Sequence, residues 1–359
     1  MVQRPGKIGS KMLSVYDGKR ILITGHTGFK GTWLSRILAK SGAQTFGISL
    51  KPESNSLFNL VPELNLTKSI ILDINKYEKV DKIIKKIDPH LVFHLAAQPL
   101  VRRSYADPRG TFETNVMGTF NIVESSLKCE SIRGIVAITT DKVYKNVEKL
   151  EGYVETDALG GKDPYSASKS ASEMVITAWQ EISNINKKIP IVSVRSGNVI
   201  GGGDYAEDRL IPDLIRGFQS NYKTVIRNPN SIRPWQHVLD PLSGYLAAGS
   251  KLLTGNRISK SYNFGPDNNS KLTVTEMANL ACSYWPNNQG WMIDSKSNTF
   301  PESNLLWLDS SLARSELNWR NKLDANQAIK WTLDWEMDVK NNRAIDLIDS
   351  QIKNYWEEL

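Results

Sequence analysis

Short apolar runs alternate with helix-spaced apolar positions through the first half of the chain. Arg20-Ile-Leu-Ile-Thr24 is a compact apolar run that ends on a glycine, the pattern of a strand buried on both faces. Residues 29–41 then carry Trp33, Leu34, Ile37 and Leu38 at helical spacing. The same rhythm predicts strands at 44–50, 69–72, 91–95, 134–138 and 191–195, and helices at 76–87, 101–128 and 165–183. In the helix 76–87, Val80, Ile83, Ile84 and Ile87 share one face. Alternation of this kind builds an α/β fold, a doubly wound parallel sheet covered by helices on both faces, with right-handed connections. This first domain spans 20–195. After Arg195 the rhythm changes, and Gly201-Gly-Gly-Asp204 reads as a loop. Residues 196–359 therefore read as a smaller, mixed, mainly substrate-binding domain over the C-terminal edge of the sheet, some segments of which can return to the first. Residues 1–19 carry Arg4, Lys7, Lys11 and Lys19 without an apolar stretch, and read as a loose leader that the fold does not need.

Composition narrows the class. Of 359 residues, 40% are hydrophobic and 23% charged, ordinary globular usage that excludes wholesale disorder. The formal net charge of +7 admits a polyanionic ligand. Lys76, Lys79, Lys82, Lys85 and Lys86 read as the solvated face of one helix rather than a nucleic-acid patch. The two cysteines, Cys129 and Cys282, are too few for a disulfide scaffold and suit a reducing compartment, hence the cytoplasm. His26, His90, His94 and His237 have no metal-ligand spacing, so no metal is expected. No apolar run nears the ~18 residues that span a bilayer, and no membrane partner is expected.

Gly25-His-Thr-Gly-Phe-Lys-Gly31 lies between the first strand and the first helix. Glycine is needed where backbone turns tightly, where it approaches a pyrophosphate, and where helix packs on strand. The helix N-terminus adds amide donors and partial positive charge. Gly25, Thr27, Gly28, Phe29, Lys30 and Gly31 are thus a dinucleotide cradle, and the sheet is of the Rossmann type. An acid reading the ribose belongs ~20 residues further on. The stretch Ser49-Leu-Lys-Pro-Glu53 puts none on the strand itself, and Lys51 would accept a 2′-phosphate. NAD and NADP both stay open. Asp73, at the end of the third strand, holds either an adenine amino group or the N-terminus of the next helix.

Tyr165 and Lys169, in Tyr-x-x-x-Lys, stand four residues apart and share a helix face. A phenol of pKa ~10 is a poor base at neutral pH; a neighbouring ammonium favours phenolate. Such a tyrosine takes a proton from a sugar hydroxyl as hydride leaves for a nicotinamide. Thr140-Asp-Lys142 follows the fifth strand, at the edge where such sheets place catalytic groups.

These motifs identify the chain as resembling the extended short-chain dehydrogenases/reductases. His94-Leu-Ala-Ala-Gln-Pro-Leu-Val101, Thr114-Asn-Val-Met-Gly118, Thr140-Asp-Lys-Val-Tyr144, Arg195-Ser-Gly-Asn-Val-Ile-Gly201, Gly203-Asp-Tyr-Ala-Glu-Asp-Arg-Leu210 and Arg233-Pro-Trp-Gln-His-Val238 resemble the nucleotide-sugar 4,6-dehydratases within that family. The resemblance implies CDP-glucose as substrate and bound NAD as cofactor, in a soluble lyase serving deoxysugar and polysaccharide supply. It implies a homodimer in which helices 101–128 and 165–183 pair as a four-helix bundle. It places Asp73, Ile74, Leu95, Ala96, Ala97, Gln98 and Thr114 along the cofactor, with Tyr165 and Lys169. It places Asn198, Arg209, Leu210, Arg233, Gln236 and His237 on the substrate. Tyr165 becomes the base for the C4 hydroxyl, tuned by Lys169, with Thr140 orienting that hydroxyl. Asp141 becomes the acid for the departing C6 oxygen. Lys142 is either the C5 base or an ammonium that stabilises the enolate. A sugar epimerase of the same fold needs no Asp141-Lys142 pair, and a silent cofactor-binding regulator would not need Thr140, Tyr165 and Lys169.

Overall fold

The computed structural model describes residues 10–186, 189–294 and 305–358. Its strands are β1 (Arg20–Thr24), β2 (Gln44–Ser49), β3 (Lys68–Ile71), β4 (Leu91–His94), β5 (Gly134–Ile138), β6 (Ile191–Ser196), β7 (Asn198–Ile200), β8 (Thr224–Ile226), β9 (Ile232–His237), β10 (Ser261–Phe264), β11 (Lys271–Thr273) and β12 (Trp291–Ile293). Seven of them form one sheet in the order β10-β6-β5-β4-β1-β2-β3. Every pairing in it is parallel. The central strands are buried along their length, as the unbroken apolar runs foretell.

Helices cover both faces. On one, Phe29–Lys40 and Leu239–Leu253 pack through Trp33, Leu34, Leu242 and Leu246. On the other, Tyr77–Ile87, Gly118–Leu127 and Pro164–Asn186 pack through Ile84, Ile122 and Ile176. The chain runs outward from β1 to β3 on one side and from β4 to β6 on the other. The crevice beyond the carboxyl ends of β1 and β4 is where sheets of this type bind ligands.

The smaller lobe holds the sheet β11-β9-β7, the pair β12-β8, and the helices Leu210–Ser220, Val274–Tyr284 and Ala325–Asp338. Later segments return to the first domain, among them Ala344–Lys353, whose Asp349 pairs with Arg36 and Lys40. β10 extends the large sheet beside β6, and Leu239–Leu253 lies beneath it.

Two sequence expectations need correction. The leader is not loose from Ser10 onward: Leu13 and Tyr16 are fully buried, and the Tyr16 hydroxyl donates to the Leu246 carbonyl at 2.6 Å. Two apolar side chains three residues apart suffice to dock one helical turn, too short a signal to show as periodicity. Residues 1–9 lie outside the described residues. The helix 101–128 is also broken, into Val101–Ala106, Pro108–Phe112, a π turn at Glu113–Met117, and Gly118–Leu127. Pro108 disfavours helical backbone at Asp107, which instead caps the next segment by accepting from the Gly110 N–H.

Tyr16→Phe should lower stability by about 1 kcal/mol and Leu13→Ala by about 2–5 kcal/mol, read by urea unfolding, with substrate KM unchanged. Unaltered unfolding midpoints would mean that residues 10–19 do not contribute to the fold.

Candidate active site

β1 ends beside β4, with Thr24 opposite His94 in the register. The Thr24 hydroxyl meets His94 Nδ1 at 2.7 Å, and Thr119 meets Nε2 at 2.9 Å, so His94 is a strut between strands and helix. The chain then turns at Gly25, with φ of +75°. A Cβ there would stand 2.8 Å from the Ala96 nitrogen, and one on Gly31 would stand 2.1 Å from the Gly25 carbonyl oxygen. Gly28 caps Phe29–Lys40, whose first-turn N–H groups on Phe29, Lys30 and Gly31 face the crevice without intrahelical acceptors. Thr27 ties the turn to the end of β2, 2.6 Å from the Ser49 hydroxyl and donating to the Leu50 carbonyl. Space cleared of Cβ atoms plus unpaired donors fits a dinucleotide pyrophosphate.

Leu95, Ala96 and Ala97 form the opposite wall, with the Ala96 N–H donating to Thr24 at 3.2 Å. Gln98 follows it. Its amide donates to Leu100 and Thr111 and accepts from the Leu100 N–H, while its backbone is held by Asn115, so its polar atoms also hold this loop in shape. Asp73 accepts from the Asn75 N–H at 2.9 Å, closing a turn ahead of the helix Tyr77–Ile87, whose N-cap is Lys76 and not Asp73. Ile74 is buried against the helix that starts at Gly118, whose Cβ would stand 2.4 Å from Ile74 Cδ1. Thr114 lies half-buried in the π turn.

The catalytic candidates converge just past β5. Thr140 caps a single 3₁₀ turn, Asp141–Val143. Its hydroxyl donates to Asp141 Oδ1 at 2.9 Å, and Lys142 Nζ reaches the same oxygen at 3.2 Å. The Asp141 side chain is 1% exposed and that of Lys142 is 32%. Asp141 Oδ2 is buried without a partner among the described residues. The helix Pro164–Asn186 brings Tyr165 and Lys169 to this turn, its first turn held by Asp163, which accepts from the Ser166 N–H and hydroxyl. Burial pushes the Tyr165 phenol up to about 12, while the Thr140 hydroxyl and Arg209 pull it down. Burial likewise lowers Lys169 to about 8, opposed by Glu173 one turn on. Lysine was expected to draw the phenol down; among the protein's own groups, desolvation outweighs that attraction.

Behind the site lies a buried ion pair that sequence reading missed. Glu173 accepts from Arg195 Nε at 2.8 Å and Nη2 at 2.9 Å, and from Thr139 and Ser193. Arg195 also donates to Tyr144, which in turn donates to Asn263. This network ties the helix to β5, β6 and β10, fixing the height of Lys169 and Tyr165. Arginine at the end of an otherwise apolar strand was its one signal.

Lys30 is the second surprise. Its ammonium reaches past the glycine turn to Ser196 at 3.0 Å and lies 3.5 Å from the Tyr245 hydroxyl. Burial and then Arg209 push it down to about 7, opposed by Asp141 and Asp204.

On the substrate side, Arg209 donates to Asp204 at 2.8 Å and lies within Coulombic reach of Tyr165. Leu210 follows it as the first residue of Leu210–Ser220. Asn198 opens β7 and Arg233 lies on β9, half-buried. Gly197 brings both strands against Asp141: a Cβ there would stand 3.0 Å from Asp141 Oδ2 and 2.6 Å from Pro234 Cγ. Gln236 and His237 do not reach this space, a correction of their expected substrate contact. Both are fully buried. Gln236 donates to the Phe264 carbonyl, and His237 packs between Trp33 and Trp331 and is lowered to about 3 by burial. β9 dives inward after Arg233, so its last four positions belong to the core.

Residues 22–332 match the family described as GDP-mannose 4,6 dehydratase. The chain belongs to this family. A Salmonella typhimurium CDP-glucose 4,6-dehydratase is 43% identical over 331 residues, 89% of this chain and 92% of that protein. A Haemophilus influenzae dTDP-glucose 4,6-dehydratase is 27% identical over 88% of this chain and 97% of that protein. Among solved structures, a Bacillus anthracis dTDP-glucose 4,6-dehydratase in complex with NAD superposes with a TM-score of 0.74 at 22% identity. It covers 92% of this chain and 100% of that one.

Among the described residues of this dehydratase-family chain, no cluster of three or more His, Cys, Asp or Glu is placed to hold a metal, and no helix is long and apolar enough to cross a membrane. Glu173→Leu should cost about 3–5 kcal/mol of stability, because it leaves the Arg195 charge buried and uncompensated. Urea unfolding measures it; a loss within 1 kcal/mol would show that the pair does not lock the helix.

Proposed function

We propose that the chain is a CDP-glucose 4,6-dehydratase, forming CDP-4-keto-6-deoxyglucose. The observation that carries the reading is the placement of Asp141 and Lys142, an acid and an amine, on the same turn as Thr140 and facing Tyr165. Oxidation and return need only the phenol and the ammonium. Loss of water from C5 and C6 needs a second pair. The 43% identity to a CDP-glucose 4,6-dehydratase supports the nucleotide.

Removal of water is slow from the sugar itself, because its C5 proton is barely acidic. A ketone at C4 makes that proton alpha to a carbonyl. Tyr165 takes the C4 hydroxyl proton while Thr140 orients that hydroxyl. NAD, held by the glycine turn, Leu95, Ala96, Ala97 and Lys169, supplies when bound the acceptor that takes the C4 hydrogen as hydride and returns it to C6. Lys51 leaves NADP as the alternative cofactor.

Asp141 and Lys142 then act as one unit. The ammonium meets the carboxylate at Oδ1. Moving one proton across that contact gives a neutral acid and a neutral amine. The amine removes the C5 proton, and the Asp141 carboxyl passes the proton it gained to the departing C6 oxygen, which leaves as water. Hydride return to C6 is matched by return of the proton to C5 from Lys142. Arg209, Asn198 and Arg233 bind the diphosphate and sugar. Lys30, Lys142, Lys169 and Arg209 outnumber Asp141 and Asp204 around this space, which suits a dianionic diphosphate.

The enzyme works as a homodimer in the cytoplasm, supplying deoxysugars for polysaccharide. Exposed Phe112, Met117, Met174 and Ile182 on the two helical segments support self-pairing, and the cysteines Cys129 and Cys282, which form no disulfide, support a reducing compartment.

With CDP-glucose deuterated at C4, the product should carry deuterium at C6. A galactose isomer, or deuterium lost to solvent, would overturn the reading. Tyr165→Phe should lower turnover at least about 100-fold by removing general base catalysis at the first step. Lys142→Ala should still oxidise C4 but release no 6-deoxy product and exchange no C5 hydrogen with deuterated water. C5 exchange at the native rate in that variant would exclude Lys142 as the base.

A further inference from the structure

The loop 201–209 carries Asp204 and Arg209 to the sugar site, yet it has no regular secondary structure of its own. Its placement comes from behind. The Trp33 indole N–H donates to the Gly202 carbonyl at 3.1 Å. Trp335 lies so close under Gly202 that a Cβ there would stand 2.2 Å from the indole ring. Gly203 turns with φ of +82° over Leu57. Its N–H donates to Glu336 Oε1 at 2.8 Å.

Glu336 is an unusual anchor. It sits on the helix Ala325–Asp338, it is 1% exposed, and no lysine or arginine pairs with it among the described residues. Its other oxygen, Oε2, is buried without a hydrogen-bond partner there. A buried carboxylate without a cation is costly, so a residue kept there must do something that a leucine would not. It holds one backbone amide, that of Gly203. That amide belongs to the residue just before Asp204, and Asp204 is the carboxylate that orients Arg209. On the far side Arg216 holds the Tyr205 and Ala206 carbonyls.

We propose that Glu336 is a positioning residue for substrate binding: by holding the Gly203 amide it sets where Asp204 presents Arg209 to the sugar nucleotide. The inference deepens the dehydratase reading and rests on it for the identity of the ligand at Arg209. Glu336 itself touches no group of the catalytic turn and acts only through Asp204 and Arg209, so its main effect is on substrate affinity. Burial and, less, the neighbouring Asp204 raise its pKa to about 7, so the neutral carboxyl is well populated at neutral pH. Glutamine copies that neutral form, its amide oxygen taking the Gly203 N–H. Leucine fills the volume without accepting.

The test compares wild type, Glu336→Gln and Glu336→Leu as full-length proteins, with two readouts. In amide hydrogen exchange, the peptide covering 201–209 should stay protected in wild type and Glu336→Gln and exchange at least about tenfold faster in Glu336→Leu, the effect of one lost buried hydrogen bond. In steady-state kinetics with CDP-glucose, Glu336→Leu should raise KM about tenfold with kcat within about twofold, and Glu336→Gln should restore KM. Unchanged exchange in Glu336→Leu, or faster exchange with unchanged KM, overturns the proposal. So does a fall in kcat shared by both variants. Wild type inactive on CDP-glucose would overturn the dehydratase reading instead, and the exchange readout would still decide whether Glu336 holds the loop.

Discussion

The close approach of the Gly25 turn to the start of the loop after β4 is the constraint on which the rest depends. A single methyl group at Gly25 would overlap the Ala96 backbone. Only at that separation do the ends of β1 and β4 leave one continuous crevice, with helix donors on one wall and Leu95 to Ala97 on the other. Packing at this density tolerates little adjustment. The Thr24–His94–Thr119 chain of hydrogen bonds holds the two strand ends in that relation. A ligand lying along the crevice is then carried directly toward the 3₁₀ turn after β5.

That turn works because its groups are desolvated together. With burial as the largest cause, the phenol of Tyr165 is pushed up to about 12 and the ammonium of Lys169 down to about 8, so the phenol keeps its proton at neutral pH in the protein's own field. The positive charge of a bound nicotinamide would favour phenolate. The Glu173–Arg195 pair serves the same end from below. It fixes the height of the helix, and Glu173 also supports the charge on Lys169 against burial.

The two lobes meet the substrate with different materials. The large sheet offers rigid strand ends. The smaller lobe offers the loop 201–209, whose shape is imposed by Trp33, Trp335, Leu57 and Glu336 from three separate stretches of chain. Variation of such a loop changes which nucleotide sugar fits without disturbing the proton and hydride machinery.

The strand and helix alternation, the glycine turn and the Tyr165–Lys169 spacing were legible from sequence, because each depends on residues close together in the chain. So was the Thr140-Asp141-Lys142 turn, once its place after a predicted strand was recognised. The short docked segment around Leu13 and Tyr16 was not legible, nor was the break at Asp107. Gln236 and His237 show the limit most plainly: they adjoin Arg233 in sequence, but the strand they share turns into the core after it, and Trp33 and Trp331, from the far ends of the chain, close around the imidazole. Sequence alone determined which local segments form and which chemical groups they carry, since propensity, periodicity and turn chemistry act over a few residues. Tertiary structure alone decided which of those groups share a space, how far burial moves their protons, that the Lys30 ammonium reaches past the glycine turn to Ser196, and that Glu336 holds the Gly203 amide, since desolvation and long-range contacts exist only after the chain has closed on itself.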